Sequence, residues 1–67
     1  MKISTTEQLG NLIKNTRKGQ GLTQGDLAAS CNVGVRFIVD LEKGKETSQV
    51  GKMIKVINML GLKLDIE

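Results

Sequence analysis

A chain of 67 residues with a formal net charge of +3, one cysteine and no histidine has room for one small core and little else. One Cys excludes an internal disulfide, the absence of His and of a second Cys leaves no ligand set for zinc, and the absent His is also the commonest general base. There is no charged-then-apolar leader and no run of membrane-spanning length, so a cytoplasmic protein with no membrane partner is expected, with oligomerisation as the remaining way to stabilise so small a domain.

Ser4-Thr5-Thr6-Glu7 fits a capping box, Ser4 as N-cap and Glu7 reaching back, which predicts a helix starting near Thr5. Leu9, Leu12, Ile13 and Thr16 continue it at helical spacing, and Gly19 and Gly21 end it, since Gly is about 1 kcal/mol less favourable than Ala in a helix and accepts the left-handed cap conformation. Lys14, Arg17 and Lys18 cluster late in this helix. A second helix is expected over 24–31, capped by Thr23 with Asp26 as the capping-box partner, and with Leu27, Ala28 and Cys31 on one face. Cys31 reads as a small apolar packing residue. Asn32, Val33 and Gly34 then carry a tight turn, Asn and Gly tolerating unusual backbone angles and Val33 supplying an apolar plug.

A third helix is expected over 35–43, with Ile38 and Leu41 on a buried stripe, Val35, Arg36, Val39 and Asp40 on the opposite side, and Gly44 as the stop. Two short helices joined by a tight turn are the layout of a DNA-reading helix-turn-helix, whose second helix lies in the major groove and offers side chains near its N-terminus to base edges. Arg36 is the leading base reader on this pattern, and Lys43 and Lys45, flanking Gly44, are placed to meet phosphates. Arg36 can grip guanine O6 and N7 as a fork, worth about 1–3 kcal/mol of discrimination, and Val35 and Val39 can touch thymine methyls. Asp40, four residues after Arg36, either orients the guanidinium through a helical ion pair or accepts from a cytosine N4. Phe37, the only aromatic residue, is expected to pack against the second helix.

Ser48 is the expected cap of a fourth helix in which Val50, Met53, Ile54, Ile57 and Leu60 follow the 3.6-residue period up to Gly61. Val56 and Met59 lie outside that stripe and read as part of a dimer contact, ordinary partial exposure being the alternative. Leu62-Lys63-Leu64-Asp65-Ile66-Glu67 alternates apolar and charged residues with the period of a half-buried strand. The other extended candidate, Met1-Lys2-Ile3, is short, so the tail is expected to pair with its copy across a two-fold axis, or else with another protein's sheet edge. Leu62, Leu64 and Ile66 then join Val56 and Met59 in the dimer surface. The glycines follow helix boundaries rather than any nucleotide-binding spacing, and Asp26, Asp40, Glu42 and Glu46 suggest no buried carboxylate pair, so neither catalysis, metal nor cofactor is expected. Residues 1–67 read as one DNA-binding domain, with a helical core over 4–60 and a dimerising strand over 62–67.

Leu22-Thr23-Gln24, Asp26-Leu27-Ala28, Val33, Ile38, Leu41-Glu42 and Gly44-Lys45 together resemble the signature of the lambda- and P22-repressor-like family, the XRE or Cro/C1-type helix-turn-helix. Within it, the run GVRFIVDLEKGKETS, followed by a helix and an alternating terminal strand, is similar to HipB-type antitoxins, the DNA-binding partners of HipA-like kinases. The resemblance implies an all-α domain of four to five helices with a short C-terminal β-strand pairing across a homodimer. It also implies that Thr23 and Gln24 meet the DNA backbone and that Gly34, Val35, Arg36, Val39 and Asp40 form the reading surface. A structural pairing of Arg17 with Glu42, bracing the first helix against the third, is implied as well. The function it implies is a homodimeric repressor of a palindromic operator in double-stranded DNA, autoregulating and bound to a HipA-like serine/threonine kinase toxin. A module that mainly holds a toxin subunit, and a phage-type repressor with no toxin partner, remain as alternatives.

Overall fold

The chain begins in an extended segment, β1 (Lys2–Ile3), and then passes through four helices, α1 (Thr6–Gly19), α2 (Gln24–Cys31), α3 (Val35–Glu42) and α4 (Val50–Met59), before a second extended pair, β2 (Asp65–Ile66). The structure, a computed structural model, describes residues 2–63 and 65–66, with the surroundings of side chains described for residues 3–63. At the centre of the core sit Ile13, Leu27, Ile38 and Val56, each without accessible surface and each from a different helix. Leu9, Ala28, Cys31, Leu41, Ile57 and Leu60 enclose them.

Helix α1 starts one residue later than its sequence suggests. Thr5 is the N-cap, its hydroxyl accepting from the Gln8 N–H at 3.1 Å, and Gln8 Oε1 accepts from the Ser4 N–H at 2.8 Å. With Ile3 buried in β1, Ser4 and Thr5 are both needed to turn the chain, so the cap passes from the Ser4/Glu7 pair to the Thr5/Gln8 pair. Midway along α1, Gly10 lies against the end of α3. A Cβ there would stand 2.6 Å from the Leu41 carbonyl oxygen and 2.7 Å from that of Glu42, so the helices approach at this point only because the residue has no side chain.

The largest departure concerns α4. Its buried stripe runs through Met53, Val56, Ile57 and Leu60, while Val50, Ile54 and Met59 are each about half exposed. Val56, expected in a dimer contact, is fully buried inside the protomer and contributes nothing to any outer surface. The reason is that Val50, Met53, Ile54, Val56, Ile57 and Leu60 fill an arc of α4 broader than one buried stripe, opposite Lys52, Lys55 and Asn58, so periodicity alone fixes its rotation only coarsely and packing against α2 selects it. Ser48 is not the cap either. Gln49 occupies that position without a side-chain cap bond, and its N–H is satisfied by the Thr47 hydroxyl at 3.0 Å.

The tail meets a partner within its own chain: β2 pairs with β1 in parallel, Lys2 opposite Asp65 and Ile3 opposite Ile66. A parallel pair needs a long crossover, and here the four helices supply it. The N-terminal segment, although two residues long in the ladder, therefore takes one edge of β2, so any contact of the tail with a second copy has to use its other edge or its side chains. Leu62 is half-buried against the core, whereas Leu64 and the side chain of Ile66 lie outside the described residues.

Candidate nucleic-acid interface

The α2–turn–α3 unit is assembled from local hydrogen bonds. Thr23 caps α2, its hydroxyl accepting from the Asp26 N–H at 3.0 Å while Asp26 Oδ2 accepts from the Thr23 N–H at 2.9 Å. These bonds, the one from the Thr23 backbone foremost, hold the Asp26 carboxyl below the usual carboxylate range. At the other end Asn32 adopts the left-handed conformation, φ 55° and ψ 46°, and the Val33 N–H returns to the Ala28 carbonyl at 3.0 Å. Gly34 departs from expectation: at φ −71° and ψ 147° it is ordinary extended backbone, so the reversal rests on Asn32, with Val33 packed beneath it. Beyond α3, Gly44 at φ +83° makes the second stop, against the backbone of Glu7.

This frame turns Ile38 and Leu41 inward and leaves the opposite face of α3 open. Val35 is 51% exposed, the Arg36 side chain 76%, and Val39 is half-buried. Thr23, Lys43 and Lys45 are exposed as well, Lys43 forming the C-cap of α3. Gln24 differs from its expected freedom, since its amide donates to Glu42 Oε1 at 3.2 Å and the residue is half-buried.

Glu42 belongs to a buried fork rather than to the open face. Arg17 Nε donates to Glu42 Oε2 at 2.6 Å, Arg17 Nη2 to Oε1 at 3.1 Å, and Nη1 to the Leu22 carbonyl at 2.8 Å. The two residues are 7% and 8% exposed. The hydrogen bond to Glu42 raises the Arg17 pKa above its ordinary value, so the guanidinium stays charged. Arg17 therefore spans α1, the α2 entry and α3 and is withdrawn from any phosphate surface.

Asp40 lies where α3 meets the loop after Gly44. Its Oδ1 is 3.4 Å from Arg36 Nε and 3.7 Å from Lys45 Nζ. Beside it opens a cleft of about 320 Å³, lined among others by Arg36, Phe37, Asp40, Lys45 and Lys52. Lys52, from the first turns of α4, holds its ammonium 5.9 Å from the centre of the Phe37 ring. Sequence reading passes over Lys52 because it is one lysine on an exposed helix face; only the packing of α4 brings it to the same cleft as Arg36 and Lys45. Phe37, expected against α2, thus packs on the core with one side of its ring turned to α4.

Cys31 is buried, its Sγ 3.9 Å from the Lys55 carbonyl, and burial pushes its thiol pKa up. Among the described residues no group of three His, Cys, Asp or Glu is placed to hold a metal ion, and no helix is long and apolar enough to cross a membrane.

Residues 13–66 match the family model described as "Helix-turn-helix". The chain is 48% identical over 65 residues to the HTH-type transcriptional regulator y4mF of Sinorhizobium fredii, covering 97% of this chain and 86% of that protein. It is also 39% identical over 57 residues to an endothelial differentiation-related factor 1 homolog of Xenopus laevis, covering 85% of this chain but 39% of the relative. The human factor is 36% identical over 59 residues, and this chain spans 40% of its length. Among solved structures, a chain of the HipA–HipB–O2–O3 complex superposes with a TM-score of 0.84 at 26% identity, covering 97% of this chain and 92% of that one, and the structure titled "MDT Protein" matches with the same values. Together with the geometry of α2 and α3, these matches place the chain in the XRE-like, Cro/C1-type helix-turn-helix family of DNA-binding transcriptional regulators, with HipB-type proteins as its structural neighbours.

Proposed function

We propose that the protein is a sequence-specific repressor that binds a palindromic operator as a homodimer, represses its own promoter and acts as a HipB-like antitoxin toward a HipA-like serine/threonine kinase. The observation that carries the DNA-reading part is the open face of α3, where Val35 and Arg36 stand clear of the core and Lys43 and Lys45 flank the helix end, while Arg17 is taken up by Glu42. Val35, Arg36 and Val39 read base edges, Gly34 lets the backbone approach, Thr23, Gln24 and Lys43 position the helix on phosphates and sugars, and Asp40 and Lys45 border this surface beside Arg36. Two-fold pairing sets the half-sites about one helical turn apart. Met59, Leu62 and the tail residues Leu64 and Ile66 supply the dimer surface, which the small size of the core favours. The kinase partner rests on the likeness to a chain of the HipA–HipB–O2–O3 complex. Residues 1–67 act as one domain in the cytoplasm, without catalysis or a cofactor.

Fluorescence anisotropy against the DNA upstream of the protein's own gene, at two salt concentrations and beside a scrambled duplex, tests the reading. Tight, salt-sensitive binding is expected, with the sequence preference lost in Arg36→Ala at a cost of about 1–3 kcal/mol. Equal, weak binding to both duplexes overturns the repressor. Failure of a co-expressed HipA-like kinase to co-purify removes the antitoxin role while leaving DNA reading intact.

A further inference from the structure

Asp40 Oδ1 has no accessible surface and accepts no hydrogen bond, although the side chain as a whole is 30% exposed. A desolvated carboxylate oxygen ordinarily takes a hydrogen bond. This one instead lies close to two cations, Arg36 Nε at 3.4 Å and Lys45 Nζ at 3.7 Å, one from its own helix and one from beyond the Gly44 stop. No other charged pair among the described residues is arranged in this way: Arg17–Glu42 is a closed, hydrogen-bonded fork.

The nitrogen that Arg36 turns toward Asp40 matters. Engaging Nε leaves both terminal Nη groups free, and these are the donors that grip guanine O6 and N7 end-on. The same oxygen restrains Lys45, whose free ammonium would otherwise seek the nearest phosphate on any sequence. A carboxylate in this position therefore adds nothing to affinity for a polyanion, yet it limits two flexible cations to one arrangement. Resting on the assignment of Arg36 to a base edge, we infer that Asp40 is a positioning and specificity-determining residue: its single buried oxygen aims Arg36 and restrains Lys45, lowering binding to unrelated DNA while sharpening discrimination, and it does not itself read a base.

The test uses a duplex that the wild-type protein selects from a random library, a scrambled duplex of the same composition, and Asp40→Asn in both the wild-type and Arg36→Ala backgrounds. Asp40→Asn keeps the shape and removes the charge. Its affinity for the scrambled duplex is expected to rise several-fold, with the slope of log K against log salt steeper by about 1 as Lys45 is released to phosphate. The ratio of specific to scrambled binding is expected to fall about tenfold. In the Arg36→Ala background the same change should leave that ratio where Arg36→Ala put it, because a residue acting through Arg36 has nothing left to aim. A further fall there, relaxing preference at a separate base pair, overturns the inference in favour of direct reading by Asp40. An unchanged ratio in the wild-type background overturns it as well. In free protein, the NMR signal of Arg36 Nε–H should shift and its side-chain order should fall in Asp40→Asn, since the nearby charge is removed; an unchanged signal and unchanged order refute the aiming contact without reference to DNA. If no duplex is enriched from the library, the base-reading assignment fails, and the NMR measurement still decides whether Asp40 holds Arg36.

Discussion

Removing the carboxylate of Glu42 should cost more stability than any other single change on the polar side of the fold. Glu42 accepts two hydrogen bonds from Arg17 and one from Gln24. In Glu42→Ala, Arg17 stays where its backbone puts it, at 7% exposure, with the Leu22 carbonyl as its one remaining acceptor. Stranding one partner of a buried ion pair costs about 3–5 kcal/mol. A domain of this size is held by about 0.05–0.15 kcal/mol per residue, or roughly 3–10 kcal/mol in all. The variant is therefore expected to be largely unfolded, or to lose most of its urea resistance, when helicity is followed by circular dichroism through a denaturant titration. The double variant Arg17→Met/Glu42→Leu removes both charges and fills the same space, so it should recover most of the loss. A Glu42→Ala protein within about 1 kcal/mol of the parent would refute the argument, because that is the behaviour of a solvated surface pair.

Three other outcomes follow from the geometry. Gly10→Ala should lower stability by about 1–3 kcal/mol, seen as a drop in Tm, since its methyl meets two backbone carbonyls that cannot rotate away; an unchanged Tm would mean that α1 and α3 separate freely. Stability should fall as pH rises past about 9.0, the ordinary value of the Cys31 thiol. The folded pKa is raised by burial, so the unfolded chain ionises first, and the stabilisation present below that pH is lost as pH climbs through the folded value. Urea titrations between neutral and alkaline pH would check this, with Cys31→Ala giving a flatter profile. Finally, Val56→Lys should unfold the protomer while Met59→Lys keeps the fold and, on the dimer proposed above, halves the particle mass in light scattering; a folded Val56→Lys protein would place that residue outside the core, and an unchanged mass for Met59→Lys would remove Met59 from the proposed dimer surface.

What could be read from the chain alone is what neighbouring residues decide among themselves. The Thr23/Asp26 capping box, the span of α2 over 24–31, the outward placement of Val35 and Arg36 and the stop at Gly44 are set within a few residues of each other, by cap hydrogen bonds and by apolar spacing. Even there, the left-handed residue is Asn32 and not Gly34, because a turn that closes on the Ala28 carbonyl needs its positive φ at the residue just after the helix. Tertiary structure decided the rest. The rotation of α4, and with it the burial of Val56 and the exposure of Ile54, depends on which face α2 presents, since its apolar arc is broad enough to satisfy more than one phase. The need for Gly at position 10 exists only because α3 ends against it. The pairing of Lys2–Ile3 with Asp65–Ile66, the arrival of Lys52 beside Phe37, and the sharing of one Asp40 oxygen by Arg36 and Lys45 all join segments across turns or across the whole chain. Local spacing carries no record of such distances, because they are fixed by how the four helices close around one core.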